Sequence, residues 1–295
     1  MAEVLSGGLL DVETIVPVGG DPHLYEPTPS DASLVNSADL ILKNGLSFEG
    51  WLNELIENSG TKAKSILTTE GIDPIKSQDY ANAVDPHAWM DLSLGEKYAE
   101  NIVKAFGELD PENKDAYNFN LEVYKKQIQE LDQYILEQVK TIPESQRVVI
   151  TSHDAFQYFG RRYGLKLEAV MGTSTDAEVQ TSDVSHLRKV IQGTGVLAVF
   201  IESTINPKLI QQIAKDAGVK IGGKLYADSI GDKDSPASTY LKMLRYNADV
   251  IVEALKGNIP ENIPENEEGG NSWMFLILLG VALLIGSIFL IRKVQ

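Results

Sequence analysis

Three of the four histidines in this 295-residue chain stand in similar company. His23 lies in GGDPHLYEPTPSD (19–31), His87 in DPHAWMD (85–91) and His153 in VVITSHDAF (148–156). The tripeptide Asp-Pro-His occurs at 21–23 and again at 85–87. Proline before the histidine restricts the loop and lowers the cost of ordering a ligand there. Asp228 in KLYADSIG (224–231) follows an apolar run, as His153 does, and Glu202 in VFIEST (199–204) closes another. Neutral imidazoles with a carboxylate are the donor set expected for Zn²⁺ or Mn²⁺. One such histidine alone reads as a hydrogen-bonded loop residue. Three of them in strand-end loops, with carboxylates nearby, point to a shared metal site. Asp21, Asp85 and Asp154 either orient the rings from behind or cap turns. Glu202 is placed to ligate, to take a proton or to bond a neighbouring loop. His186, in SDVSHLRKV, reads as a surface helix residue.

The elements that must position these residues alternate in the second half. Strands are predicted at 148–151, 167–171, 196–201 and 219–226, with helices at 155–163, 183–192, 207–217 and 238–255 between and after them. Such alternation predicts parallel strands covered by helices, with ligands gathered at the carboxyl ends of the strands. The first half reads as a helix end, a strand at 12–16, a proline-rich loop, a helix at 31–38, a strand at 40–43, a helix at 48–58, a strand at 65–67 and a helix at 93–109. Asp110-Pro111 opens a long helix, because Asp is a good N-cap and Pro suits the first helical position. Its apolar residues Leu121, Tyr124, Ile128, Leu131, Ile135 and Val139 recur at helical spacing to about Thr141. The reading is α/β in two lobes: 1–109, then a linking helix at 110–141, then 142–256.

Composition narrows the function. With 42 acidic against 26 basic residues the net charge is −16, which argues against nucleic acid as a partner. The absence of Cys excludes disulfides, thiolate metal sites and a Cys nucleophile. Residues 257–272, rich in Asn, Pro, Glu and Gly, read as a tether. Residues 273–291 carry no charge, and as a helix would span about 30 Å, the thickness of a bilayer's hydrocarbon core. Arg292 and Lys293 follow and favour a cytoplasmic tail at 292–295, placing the body outside. Residues 1–20 do not form a signal peptide. The sequence therefore predicts either a start upstream of Met1 or a tail-anchored protein with a cytoplasmic body.

The segments VPVGGDPHLYEPTPSD, DPHAWMDLSLGEKYAENIVKAF, VVITSHDAFQYFGRRYGL, AVFIESTINPKLIQQIAKDAGV and KLYADSIG together resemble the cluster A-I solute-binding proteins of ABC importers for zinc, manganese or iron. The resemblance runs from residue 1 to about 257. It implies two α/β lobes, each with a parallel-type sheet flanked by helices, joined by one rigid helix, with the metal between the lobes. It places the ligands at His23 and His87 from the first lobe and His153 and Asp228 from the second. Glu202 matches a frequent family carboxylate and is placed behind the ligands, with direct ligation as the alternative. Three departures stand out. The family's first strand is missing, there is no His-rich acidic loop between the first two ligands, and there is no N-terminal lipid-bearing Cys as in many members, with the C-terminal span as the expected anchor in its place.

The function this implies is extracytoplasmic capture of one divalent ion, zinc or manganese, and delivery to a membrane permease. A hydrolase using a His₃Asp metal, with Glu202 as base, is the alternative enzyme reading. Four protein ligands leave it little room for water and substrate. A surface adhesin is the third.

Overall fold

A computed structural model describes residues 1–76, 84–176 and 179–259. In chain order its helices and strands are α1 (Ala2–Ser6), α2 (Pro29–Ser37), β1 (Leu40–Lys43), α3 (Leu52–Ser59), β2 (Lys64–Leu67), α4 (Leu92–Leu109) and α5 (Lys114–Lys140). They continue with β3 (Val148–Thr151), α6 (Gln157–Tyr163), β4 (Lys166–Ala169), α7 (Thr181–Thr194), β5 (Ala198–Glu202), α8 (Lys208–Ala217), β6 (Lys220–Leu225) and α9 (Tyr240–Leu255).

Every paired strand runs parallel to its partner, as the alternation requires. β1 pairs with β2 (Leu40 opposite Lys64), β3 with β4 (Val148 opposite Lys166) and β5 with β6 (Ala198 opposite Lys220). Among the described residues 1–109 hold one parallel ladder, as expected, while 142–256 hold two two-stranded ladders in place of one continuous sheet. β3 and β5 are in contact, and both are buried along their whole length, which suits continuous apolar runs covered on both faces. A bulge between Val199 and Phe200 shifts the β5–β6 register by one residue. It centres on Gly222, where a Cβ would come within 2.8 Å of the Phe200 ring and 2.9 Å of Ala254. The shift brings Leu225 opposite Glu202, so the two chains leave the ladder side by side.

The long helix α5 spans about 40 Å. Its buried stripe is Tyr117, Tyr124, Ile128, Leu131, Ile135 and Val139, and it packs against α4 before it and α9 after it. It starts a turn later than the Asp110-Pro111 signal predicts. Pro111–Asn113 form a 3₁₀ turn, and the Asp110 carboxylate accepts hydrogen bonds from Asn113 Nδ2 and the Tyr117 hydroxyl, both at 2.7 Å, instead of capping α5.

The predicted strand at 12–16 does not form. Asp11, Glu13 and Thr14 are exposed, Pro17 offers no N–H, and no described strand lies beside it. Except for residues 257–259, the predicted tether at 257–272, the span at 273–291 and the tail at 292–295 lie outside the described residues. Among the described residues no helix is long and apolar enough to cross a membrane.

Candidate metal centre

The two Asp-Pro-His repeats fold the same way. Asp21 Oδ1 accepts the His23 amide at 2.9 Å, and Asp85 Oδ1 accepts the His87 amide at 2.9 Å. Each aspartate thus closes a short side-chain turn around its proline and presents the following imidazole. The His23 loop is held on its far side by the start of α2. There Thr28 and Asp31 form a reciprocal cap with Pro29 in the first turn, and the Tyr25 hydroxyl donates to Asp31. Trp51 Nε1 donates to Pro22 O at 2.8 Å.

The other two residues leave the ends of strands. His153 follows β3, and Asp228 follows β6. Glu202, the last residue of β5, accepts the amides of Ser152 and His153 on Oε1, at 2.8 and 2.9 Å. One buried carboxylate thereby joins the ends of β5 and β3 where backbone pairing does not.

These loops bring His23, His87, His153 and Asp228 together. One ligand-type atom from each lies within 4.8 Å of the others. The Asp228 carboxylate sits at the centre, 3.1 Å from His153 Nε2, 3.3 Å from His87 Nε2 and 3.7 Å from His23 Nε2. The His23 side chain is 4 % exposed and the other three are fully buried. All three Nε2 atoms and both Asp228 oxygens are buried with no hydrogen-bond partner among the described residues. Buried polar atoms are almost always paired, so five orphans converging on one point are the signature of a cation site. Three imidazole nitrogens and a carboxylate fit a divalent transition metal, and zinc in particular.

Behind the donors, the acids take different parts. Asp85 Oδ1 lies 2.8 Å from His87 Nδ1, and Glu202 Oε2 lies 2.6 Å from His153 Nδ1. Each carboxylate favours the tautomer whose Nε2 lone pair faces the centre. Asp21 instead uses its second oxygen to accept the Thr175 hydroxyl at 2.7 Å, and Asp154 accepts from Gln157 Nε2 at 2.8 Å. Neither orients a ring. His186 is largely exposed on α7, with Nε2 3.5 Å from Glu168, and does not belong to the cluster of ligand-type atoms.

The protonation balance follows from these contacts. Burial holds His23 down, to about 4, against the pull of Asp228. Burial would lower His87 as well, but Asp228 and Asp85 outweigh it and raise it above the ordinary histidine value. His153 is raised further, burial being overcome by Glu202 and Asp228. Asp228, which burial alone would raise, is held well below the carboxylate range by His153 and His87. Burial pushes Asp154 up to about 6. The raised values favour protons on His87 and His153, facing the Asp228 carboxylate, and a divalent ion bound there would displace them.

Sequence reasoning passed over the residues that wall the centre. The Phe48 ring meets His23 edge-on at 4.8 Å, and Trp89 packs at 4.8 Å from Phe48 and 5.2 Å from His87. Trp89 Nε1 also donates to Ala227 O at 3.1 Å, and the Tyr240 hydroxyl donates to Trp89 O at 2.6 Å. The Gly19 amide donates to Ser229 Oγ at 2.7 Å. These bonds link loops from either side of α5. Trp89, two residues past His87, was the one with a local signal.

The family model for the zinc-uptake complex component A, periplasmic (ZnuA), matches residues 1–254. The manganese-binding lipoprotein MntA of Halalkalibacterium halodurans is 36% identical over 254 residues, covering 86% of this chain and 84% of that protein. The metal ABC transporter substrate-binding lipoprotein FimA of Streptococcus parasanguinis is 34% identical over 259 residues, covering 85% and 84%. Among solved structures, the periplasmic zinc binding protein TroA from Treponema pallidum superposes with a TM-score of 0.82 at 30% identity, covering 86% of this chain and 94% of that one.

Proposed function

The chain belongs to the ZnuA family of metal-binding substrate-binding proteins of ABC transporters, whose members are not enzymes, and from that membership we propose how it works. It captures one divalent ion, zinc or manganese, as cargo. The ion is held by Nε2 of His23, His87 and His153 and by the Asp228 carboxylate, and is delivered to the permease of a metal importer. Glu202 stays behind His153 and does not ligate. The observation that carries this reading is the convergence of five buried, unpartnered donor atoms at one point.

Residues 1–109 and 142–256 act as the two lobes and 110–141 as the strut between them. His23 and His87 come from the first lobe, His153 and Asp228 from the second, so an ion closes the gap by bonding to both. The relatives named above include lipoproteins. In our reading the uncharged run at 273–291, followed by Arg292 and Lys293, holds the chain at the membrane with the body on the extracytoplasmic side.

The test is metal titration of the chelator-stripped full chain. One ion binds per chain. At a thousand times the dissociation constant the ion adds about 4 kcal/mol of stability, and melting rises by roughly 8 °C at about 2 °C per kcal/mol for a body this size. His153→Ala and Asp228→Ala each abolish most of the shift, while His186→Ala retains it. A melting temperature indifferent to manganese, zinc and iron contradicts the proposal.

A further inference from the structure

The candidate ligands differ in how they are aimed. His87 and His153 each have a carboxylate against Nδ1. Asp228 has no such partner behind it: the contacts recorded for its oxygens among the described residues are with the three imidazoles that share the centre. Its direction is therefore set by the backbone that carries it. That backbone leaves β6 at Leu225 and runs through Tyr226 and Ala227.

Both carrying residues are tied down from outside the loop. Ala227 O accepts Trp89 Nε1. Tyr226 is held by a side chain of α9. Asn247 Oδ1 accepts the Tyr226 amide at 3.0 Å, and Asn247 Nδ2 donates to Tyr226 O at 2.7 Å. The Asn247 amide thus does for Tyr226 what a neighbouring strand would do, at the point where the β5–β6 ladder ends. Asn247 is fully buried on the apolar face of α9, beside Leu244, Ala248 and Ile251. A buried amide in that position is costly unless all its bonds are made. Here both partners are the main-chain groups of one residue, two positions before Asp228.

We propose that Asn247 is a positioning residue for metal capture, a clamp from α9 that holds the Asp228 loop in its ligating geometry before the ion arrives. This rests on the assignment of Asp228 as a ligand. Loss of a group that orients a ligand typically costs 10- to 100-fold in metal affinity, and that loss is expected for Asn247→Ala and for the near-isosteric, apolar Asn247→Leu.

The experiment compares the full chain with Asn247→Ala, Asn247→Leu and Ala248→Gly, the last weakening α9 without touching Tyr226. Three quantities are read: melting of the metal-free protein, Mn²⁺ and Zn²⁺ affinity, and the visible absorption of bound Co²⁺, which reports ligand geometry. The clamp predicts that both Asn247 variants lose affinity and change the Co²⁺ spectrum, whereas Ala248→Gly lowers melting with affinity and spectrum unchanged. Asn247 variants that melt lower but bind with wild-type affinity and spectrum overturn the proposal and leave the site assignment standing. An Asp228→Ala variant that binds like wild type overturns the site assignment itself. Should the Asn247 variants not fold, hydrogen exchange on the wild-type chain decides. The Tyr226 amide must be protected in the metal-free protein as well as the loaded one, and rapid exchange without metal refutes the clamp.

Discussion

Replacing Glu202 separates its two duties, because one carboxylate oxygen serves the backbone and the other serves the ring. Oε1 accepts the amides of Ser152 and His153, and Oε2 faces His153 Nδ1. Glu202→Ala removes both. Two buried N–H groups are left unpaired, at about 1–3 kcal/mol each, so the metal-free protein loses about 2–6 kcal/mol. At about 2 °C per kcal/mol for a body of this size, melting falls by roughly 4–12 °C. Glu202→Gln keeps the shape and an oxygen for the two amides, so at alkaline pH, where His153 is neutral in both proteins, its stability cost is about 1 kcal/mol. Its –NH₂, however, now points at Nδ1 and donates to it. The ring proton is driven to Nε2, the nitrogen that faces the centre. Metal affinity should therefore fall by about 10- to 100-fold, equivalent to about 1.4–2.7 kcal/mol, in a protein that melts almost normally at alkaline pH. Calorimetric titration with Mn²⁺ and Zn²⁺, beside scanning calorimetry of the metal-free forms, measures both. Wild-type affinity in Glu202→Gln would refute the tautomer argument. Equal melting losses in the two variants would refute the division between the oxygens.

Metal capture should release protons. The metal-free pKa values of His87 and His153 are raised, so both carry protons that the ion must displace, and affinity declines as pH falls, starting above the ordinary histidine value of about 6.5. His23, at about 4, is already neutral and adds no release at neutral pH. Titrations in buffers of different ionisation enthalpy at pH 7 should give a net release from His87 and His153, and a release of zero would contradict the raised values. The same raised values stabilise the metal-free fold below about pH 6.5, and that stabilisation is lost as pH rises through the folded-state pKa values. Melting of the stripped protein should therefore decline on the alkaline side while the loaded protein does not follow. Gly160→Ala tests the packing of α6 on β4. Its Cβ would lie 1.8 Å from Leu167 Cδ2 and 2.7 Å from the Leu165 carbonyl, and overpacking of this kind costs about 1–3 kcal/mol. Wild-type melting in this variant would show that the β4 contact gives way freely.

Much of the centre was legible because its chemistry is local. Asp-Pro-His is a turn whose aspartate closes onto the histidine amide, and it reads the same at 21–23 and 85–87. His153 and Asp228 were visible as polar residues directly after apolar runs, which parallel strands turn into neighbours. What stayed hidden depends on contacts between distant segments. Asp85 and Asp21 stand in identical tripeptides, yet Asp85 turns the oxygen that holds the amide onto the His87 ring as well, while Asp21 gives its second oxygen to Thr175, a choice that only the fold makes. Asn247 shows in the sequence only as one polar residue on the apolar face of a helix, with no clue to its partner. The failed strand at 12–16 had suitable residue types but no strand beside it, and strands form in pairs.

The central claim is that one divalent ion is held by three imidazoles and one carboxylate. X-ray absorption at the zinc edge of the loaded full chain tests this directly. The predicted shell is N and O scatterers at about 2.0–2.1 Å, with the outer-shell scattering of three imidazole rings, and the ring count falls to two in His153→Ala. A shell of oxygens without ring scattering, or one unchanged by His153→Ala, would contradict it.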